Sequence, residues 1–287
     1  MEIKHPEIPQ PLIEAVRRRE VILFAGGGIS QNLGLPDFRT LIQYLAEQLG
    51  MSSDGLSVND YPVIAEAYVQ SSGKLGALRS WMDTTWHPST TEVAHSDVHN
   101  LIVDLDFSTI YTTNYDRWLE KAYEARRKSY RKITNVGDLT HPLDGATEII
   151  KFHGDFEDDG SLVLTEANYF KRMSFEMPLD IRLRADSLAR PLLFVGYSMH
   201  DVNTRYLLFR LQELWQSSDC VGRRPVSYVL MTQSQPAQET VLRSRGVEPL
   251  VWEDEDPGRA TRLFLERLLQ RVREGAGEEA EATVRAK

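Results

Sequence analysis

Cysteine is nearly absent: Cys220 is the single one in 287 residues. One thiol forms no intrachain disulfide and no multi-cysteine metal knot, and this poverty fits a reducing, cytoplasmic compartment. Long apolar runs are also missing, and none approaches the roughly 18 residues that mark a membrane helix. The opening MEIKHPEIPQPL is broken by charges and prolines and does not read as a signal sequence. Positive charge is in deficit: 33 Lys and Arg against 42 Asp and Glu give a formal net charge of -9. That acid excess argues against a surface that coats DNA, while leaving room for a local basic groove. Tandem repeats and long coiled-coil heptads are absent as well.

What is present is an alternation. The length and the 41% hydrophobic content suit one large domain, or one domain with a smaller lobe. Short apolar runs at 21–24, 108–111, 149–152, 192–195, 226–231 and 247–251 read as strands, with further candidates at 133–136 and 162–164. Between them lie amphipathic stretches. Phe38, Leu41, Ile42, Leu45, Ala46 and Leu49 recur at helical spacing. Similar patterns cover 12–19, 61–69, 74–82, 91–105, 118–126, the run after Pro178, 202–214, 237–244 and 258–272. This order predicts an α/β fold, a Rossmann-like doubly wound parallel sheet. Residues 1–50 begin that sheet domain, 51–90 form a small inserted helical lobe, 91–272 complete the domain, and 273–287 form a flexible tail.

Four of the strand ends carry polar residues: 26–30, 112–116, 153–155 and 196–201. In an open parallel sheet the carboxyl ends of strands line one crevice, where ligands bind. Gly26, Gly27 and Gly28 follow the first strand, an arrangement that lets backbone N–H groups approach a phosphate. A tight strand-to-helix turn explains them equally well, since Gln31 stands where a GxGxxG fingerprint needs glycine. Ser30 is a hydroxyl donor or a helix cap. Arg39 meets a phosphate or ribose, or pairs with Asp37. Asn114 offers both donor and acceptor to a ribose hydroxyl or a water, although Asn after a strand also serves turns. His153 titrates near neutral pH and suits general-base work, or is structural. Asp116 orients Asn114, touches ribose or caps the next helix. His95 and His99 stand four apart on the predicted 91–105 helix, but a catalytic zinc site needs a third ligand, so exposed or interface histidines are expected. Arg126, Arg127, Lys128, Arg131 and Lys132 form a basic cluster, read as a solvated helix end or a surface for an acidic partner.

Three of these elements, in order, resemble the signatures of the sirtuin family. GGGISQNLGLPDFR resembles GAGxSxxxGIPDFR, Thr113-Asn114-Tyr115-Asp116 resembles TQNxD, and Phe152-His153-Gly154 resembles the histidine-glycine element. The resemblance extends over residues 15–255, with Gly27 in place of Ala and Thr113 in place of Gln. The zinc-binding cysteine quartet of protein-deacylating sirtuins cannot exist with Cys220 alone. The chain is therefore more similar to divergent bacterial sirtuin-like domains of anti-phage defence, as LTEANY at 164–169 and GYSMHD at 196–201 also suggest. That resemblance implies a sirtuin-type sheet without the zinc module. It implies cleavage of NAD, as substrate, to nicotinamide and ADP-ribose in abortive infection, with no metal. It implies Asn114 and His153 as catalytic residues. Ala25, Gly26, Gly27, Gly28, Ser30, Thr113, Asp116 and Gly196 become NAD contacts, with Asp37, Phe38 and Arg39 at the nicotinamide-ribose end and Ser198 and Asp201 on the adenosine side. It further implies a homo-oligomer, a HerA-type ATPase or other defence partner, a phage or nucleic-acid trigger, and no membrane. An NAD-dependent protein deacylase and a nucleotide-sensing structural subunit stand as alternatives.

Overall fold

The computed structural model describes residues 6–285 except 32, 37, 74, 141–144, 175, 198–201 and 218–220; at 31, 38, 58, 202–204, 221 and 276–285 it describes the backbone alone. Asp37, Ser198 and Asp201 thus lie outside the described residues, as does the Phe38 side chain.

Helix α1 (Gln10–Arg17) starts with a proline in its first turn, where the missing N–H costs nothing, and leads into β1 (Ile22–Ala25). A single helical turn, α2 (Gly28–Gln31), precedes α3 (Phe38–Gln48). Two further helices follow, α4 (Tyr61–Ser72) and α5 (Gly76–Trp86). Gly73 closes α4 in the left-handed conformation, φ 68°. Helix α6 (Asp97–Asp104) precedes β2 (Thr109–Thr112), and α7 (Trp118–Ala125) follows it. Strands β3 (Tyr130–Ile133) and β4 (Thr147–Lys151) come next, then helices α8 (Glu166–Met173) and α9 (Pro178–Ala189). The chain ends with β5 (Leu192–Val195), α10 (Val202–Gln216), β6 (Ser227–Met231), α11 (Pro236–Ser244), β7 (Val247–Val251) and α12 (Pro257–Arg285).

The seven strands form one all-parallel sheet in the order β3-β4-β2-β1-β5-β6-β7. The doubly wound expectation holds. From β1 the chain winds one way through β2, β3 and β4, and from β5 it winds the other way. The switch point therefore lies between β1 and β5. Alternate residues of the central strands feed two cores. Leu23, Ile110, Ile149 and Leu193 pack with α1, α6, α7 and α12 on one face. Phe24, Tyr111, Ile150 and Phe194 pack with α9, α10 and α11 on the other. A third core joins α3, α4 and α5 to Tyr115, Phe156, Leu162 and Leu164 from the sheet's carboxyl-end loops. None of the described helices is long and apolar enough to cross a membrane.

Four local expectations are corrected. The 91–105 helix is a 3-10 turn at Val93–His95 followed by α6, because Ser96 restarts the helix by accepting the His99 amide. The strand expected at 133–136 lies earlier, at Tyr130–Ile133. The Asp138 carboxylate takes the amides of Thr134 and Asn135 at 2.8 and 3.2 Å and turns the chain out of the sheet. Residues 162–164 are buried but form no strand. Val163 bonds the His153 carbonyl and Leu164 bonds the Asn168 side chain, so these amides are used elsewhere. Finally, the last helix continues past Val272 to Arg285, through an Ala- and Glu-rich run of strong helix formers. Thr165 caps α8, reciprocated by Asn168.

Leu193, fully buried in the central β5, tests the core assignment. Leu193→Ala is expected to lower the unfolding free energy by about 2–5 kcal/mol, read from urea denaturation.

Candidate active site

The site is built by register. Ala25 of β1 pairs with Thr112 of β2 and with Val195 of β5, and Thr112 pairs in turn with Lys151 of β4. These four strands therefore end at one level. Gly27, Asn114, His153 and Tyr197 each stand two residues beyond it. Sequence neighbours they are not; strand neighbours they are.

At the switch point the two turns touch through backbone. Gly26 and Gly28 donate their amides to Val195 and Gly196, each at 2.9 Å. A Cβ on Gly26 would lie 2.5 Å from the Gly196 carbonyl oxygen, and one on Gly28 would lie 2.8 Å from the Gly196 Cα. These two glycines are thus required by the opposite turn, whatever they offer a phosphate. Gly196 itself takes φ +73°, a conformation that suits glycine. Gly27 differs. It is exposed, and a Cβ there would meet nothing nearer than Asn114 Oδ1 at 4.0 Å, so the alanine of the usual sirtuin motif fits.

Asn114 is held on three sides. Its amide bonds Thr112 Oγ1 at 3.1 Å, and its Nδ2 donates to the Gly26 carbonyl and to Ser30 Oγ, both at 3.2 Å. Ser30 Oγ passes its own hydrogen to Asp116 Oδ2 at 2.8 Å. Both Ser30 and Asp116 are buried. Ser30 sits inside α2, so it is not the cap of a helix. Asp116 turns the chain into α7 by accepting the Trp118 amide at 3.2 Å, and orients Asn114 through Ser30. The cap position of α7 itself is Arg117, which makes no side-chain cap bond, so the helix-cap reading of Asp116 is corrected.

His153 is half-buried after β4, with Tyr169 of α8 edge-on to its ring at 5.7 Å and Phe152 stacked at 6.0 Å. Arg172, one turn further along α8, lies over the Phe152 ring at 3.9 Å. Gly154 packs against neighbouring backbone. Its φ is +92° and a Cβ would lie 2.3 Å from the Ser161 carbonyl oxygen, so the glycine exists to let the 161–162 backbone approach. Arg39 is exposed in the first turn of α3.

Two residues escaped the sequence reading. Tyr197 lays its ring against Gly26 and Phe24, and its hydroxyl meets Thr113 Oγ1 at 2.7 Å, bridging β5 to β2 across β1. Lys151 is a fully buried lysine whose Nζ contacts the Asp116 carbonyl, Glu120 and Asp155. An aromatic directly after the strand-ending Gly196 was a readable signal for Tyr197. Nothing in EIIKFHG distinguishes a buried lysine from a solvated one.

The remaining candidates resolve differently. His95 is exposed and pairs with Glu92 at 3.1 Å, whereas His99 is fully buried against Ser96 Oγ at 2.8 Å. The expectation that both are exposed or interfacial is wrong for His99, because Ser96 starts a new helix and turns His99 inward. The basic cluster is largely spent on carboxylates: Arg126 on Asp104, Arg131 on Glu148, and Lys132 on Asp155 and Glu157. Among the described residues, no three His, Cys, Asp or Glu side chains gather as metal ligands.

Residues 108–250 match the SIR2-like domain family. The chain is 28% identical over 203 residues to the NAD(+) hydrolase ThsA of Bacillus cereus (strain MSX-D12), covering 70% of this chain and 42% of that protein. It is 23% identical over 220 residues to defense-associated sirtuin 2 of Bacillus subtilis, covering 74% of this chain and 21% of that one. It thus spans less than half the length of either relative. Among solved structures, a SIR2 homologue in complex with NAD superposes with a TM-score of 0.55 at 12% identity, covering 94% of this chain and 96% of the other. The fold is the sirtuin fold.

Two measurements check this geometry. Gly27→Ala is expected to leave stability within about 0.5 kcal/mol, while Gly26→Ala, forced against backbone, loses about 1–3 kcal/mol; thermal melts distinguish them. Burial, opposed by the Asp116 charge, lowers the His99 pKa to about 4. Between the unfolded value of about 6.5 and that folded value, the unfolded chain takes a proton the folded chain refuses. Stability therefore falls as pH drops through this window, by up to about 1.4 kcal/mol per pH unit, and His99→Gln flattens the curve.

Proposed function

We propose that this chain, which carries a SIR2-like domain, hydrolyses NAD to nicotinamide and ADP-ribose as the effector of an anti-phage system. The observation that carries the reading is the hydrogen-bonded group of Ser30, Asn114 and Asp116, set one strand away from His153 at the switch-point crevice. Similarity to proteins named NAD(+) hydrolase and defense-associated sirtuin supports it.

In the reaction the bond between the nicotinamide nitrogen and the ribose anomeric carbon breaks, and its electron pair leaves with nicotinamide. Positive charge develops on the ribose ring. The Asn114 side-chain amide, with Nδ2 engaged by Gly26 and Ser30, presents its Oδ1 as an acceptor for a water or a ribose hydroxyl. Water adds at the anomeric carbon, and His153 takes the proton released. Asp116 keeps Ser30, and through it Asn114, in one orientation. The remaining candidate contacts, Asp37, Phe38, Arg39, Ser198 and Asp201, belong to this reading as contacts to the two halves of NAD.

An unrestrained enzyme of this kind would exhaust its own cell's NAD. A cytoplasmic location, a homo-oligomer, a HerA-type ATPase or other defence partner, and a phage or nucleic-acid trigger belong to the same proposal as means of restraint and release.

Incubating the purified chain with NAD, alone and with candidate partners, and separating the products tests it. Nicotinamide and ADP-ribose are expected without any acylated peptide. O-acyl-ADP-ribose formed only with such a peptide would assign deacylation instead. Asn114→Ala and His153→Ala are each expected to lower turnover by at least about 100-fold with an unchanged melting temperature. A full-rate His153→Ala variant would remove the general-base role.

A further inference from the structure

Lys151 ends β4, two residues before His153, and its side chain is 0% exposed. Its ammonium contacts three groups: the backbone carbonyl of Asp116, Glu120 Oε1 at 3.3 Å and Asp155 Oδ2 at 3.4 Å. Asp116 closes the turn that carries Asn114. Asp155 follows His153 and Gly154. One cation thus sits between the two loops assigned the chemistry, at the level where Lys151 and Thr112 pair.

Burying an ammonium group costs several kcal/mol unless it is paired and hydrogen-bonded. An apolar side chain would fill this place at lower cost, as Ile149 and Ile150 do just before it. What the lysine adds is direction. Asp116 is gripped at both ends, its carbonyl by Lys151 and its carboxylate by Ser30 and the Trp118 amide. On the other side, Asp155 keeps a second cation, Lys132, at 3.4 Å, and receives the Glu157 amide at 3.0 Å. Burial pushes the Glu120 carboxyl up, against the pull of Lys151; glutamine keeps its shape and removes the charge.

We propose that Lys151 is a positioning residue: by holding the Asp116 carbonyl and the Asp155 carboxylate together, it locks the Asn114 and His153 loops into one arrangement. Its consequence for turnover rests on the NAD-hydrolysis reading above; its consequence for the loops does not.

The test uses the full chain. Lys151→Met leaves Glu120 buried beside a lost cation, so it is made together with Glu120→Gln and compared with Glu120→Gln alone. Hydrogen exchange of residues 113–117 and 153–156 is expected to quicken at least about tenfold in the double variant. Strands β6 and β7 are expected to keep their protection. With NAD, kcat is expected to fall by about 30-fold or more while KM stays within about threefold, because the reacting groups and not the binding surface are displaced. Unchanged exchange in both loops overturns the proposal. So does equal loosening of β6 and β7, which would make Lys151 a charge balance for the whole fold. In the unmutated chain, a lysine ammonium with slow proton exchange is expected in ¹⁵N spectra, and its absence overturns the proposal even where the variant does not fold. If the parent chain leaves NAD intact under every condition, the hydrolysis reading falls, and exchange alone decides the role of Lys151.

Discussion

Parallel register holds this site together. Once Lys151, Thr112, Ala25 and Val195 are hydrogen-bonded side by side, the residues just beyond them share one edge of the sheet. That level is maintained by cores on both faces, so a slip in any central strand would turn buried residues outward. The closeness of β1 and β5 adds a second demand. With the Gly26, Gly28 and Gly196 backbones in contact, no side chain fits between the turns. Tyr197 then spans from β5 to β2 over the top of β1.

Electrostatics follow from this packing. Polar groups buried at a sheet edge must find partners, and here they find one another. Asn114, Ser30, Asp116 and Lys151 form a continuous chain of contacts from the crevice to the interior. The third core seats the helical layer α3–α5 on the same loops, through Tyr115, Phe156, Leu162 and Leu164. Tyr115 sits between Asn114 and Asp116, and its hydroxyl donates to the Val163 carbonyl at 2.7 Å, while the Val163 amide donates to the His153 carbonyl at 2.9 Å. Helical layer, Asn114 loop and His153 loop are thus mechanically connected.

Much of the fold was legible because buried parallel strands are short apolar runs and the helices between them carry strong apolar spacing. β1, β2, β5, β6 and β7 fall within one or two residues of their expected places. Two of the failures share a cause. Side-chain bonds from Ser96 and Asp138 redirected the chain where apolar spacing alone ran on. Residues 162–164 look like a strand because they are buried, yet their partners are loops and not a ladder. In the site, Asn114 and His153 were legible through ordered motifs and Tyr197 carried a signal beside Gly196, whereas Lys151 was not legible, since its role depends on what lies across the sheet.

By itself the sequence determined the alternation of strand and helix, the polar strand ends, and the motif order that carries the sirtuin resemblance. These are local properties, written in composition and spacing. Tertiary structure decided what each polar residue faces. It assigned Gly26 and Gly28 to the opposite turn and left Gly27 open. It gave Gly154 to the 161–162 backbone, turned His99 inward, and put the Lys151 ammonium under Asp116. Such pairings join strands far apart in the chain, and only register and burial bring them within hydrogen-bonding distance.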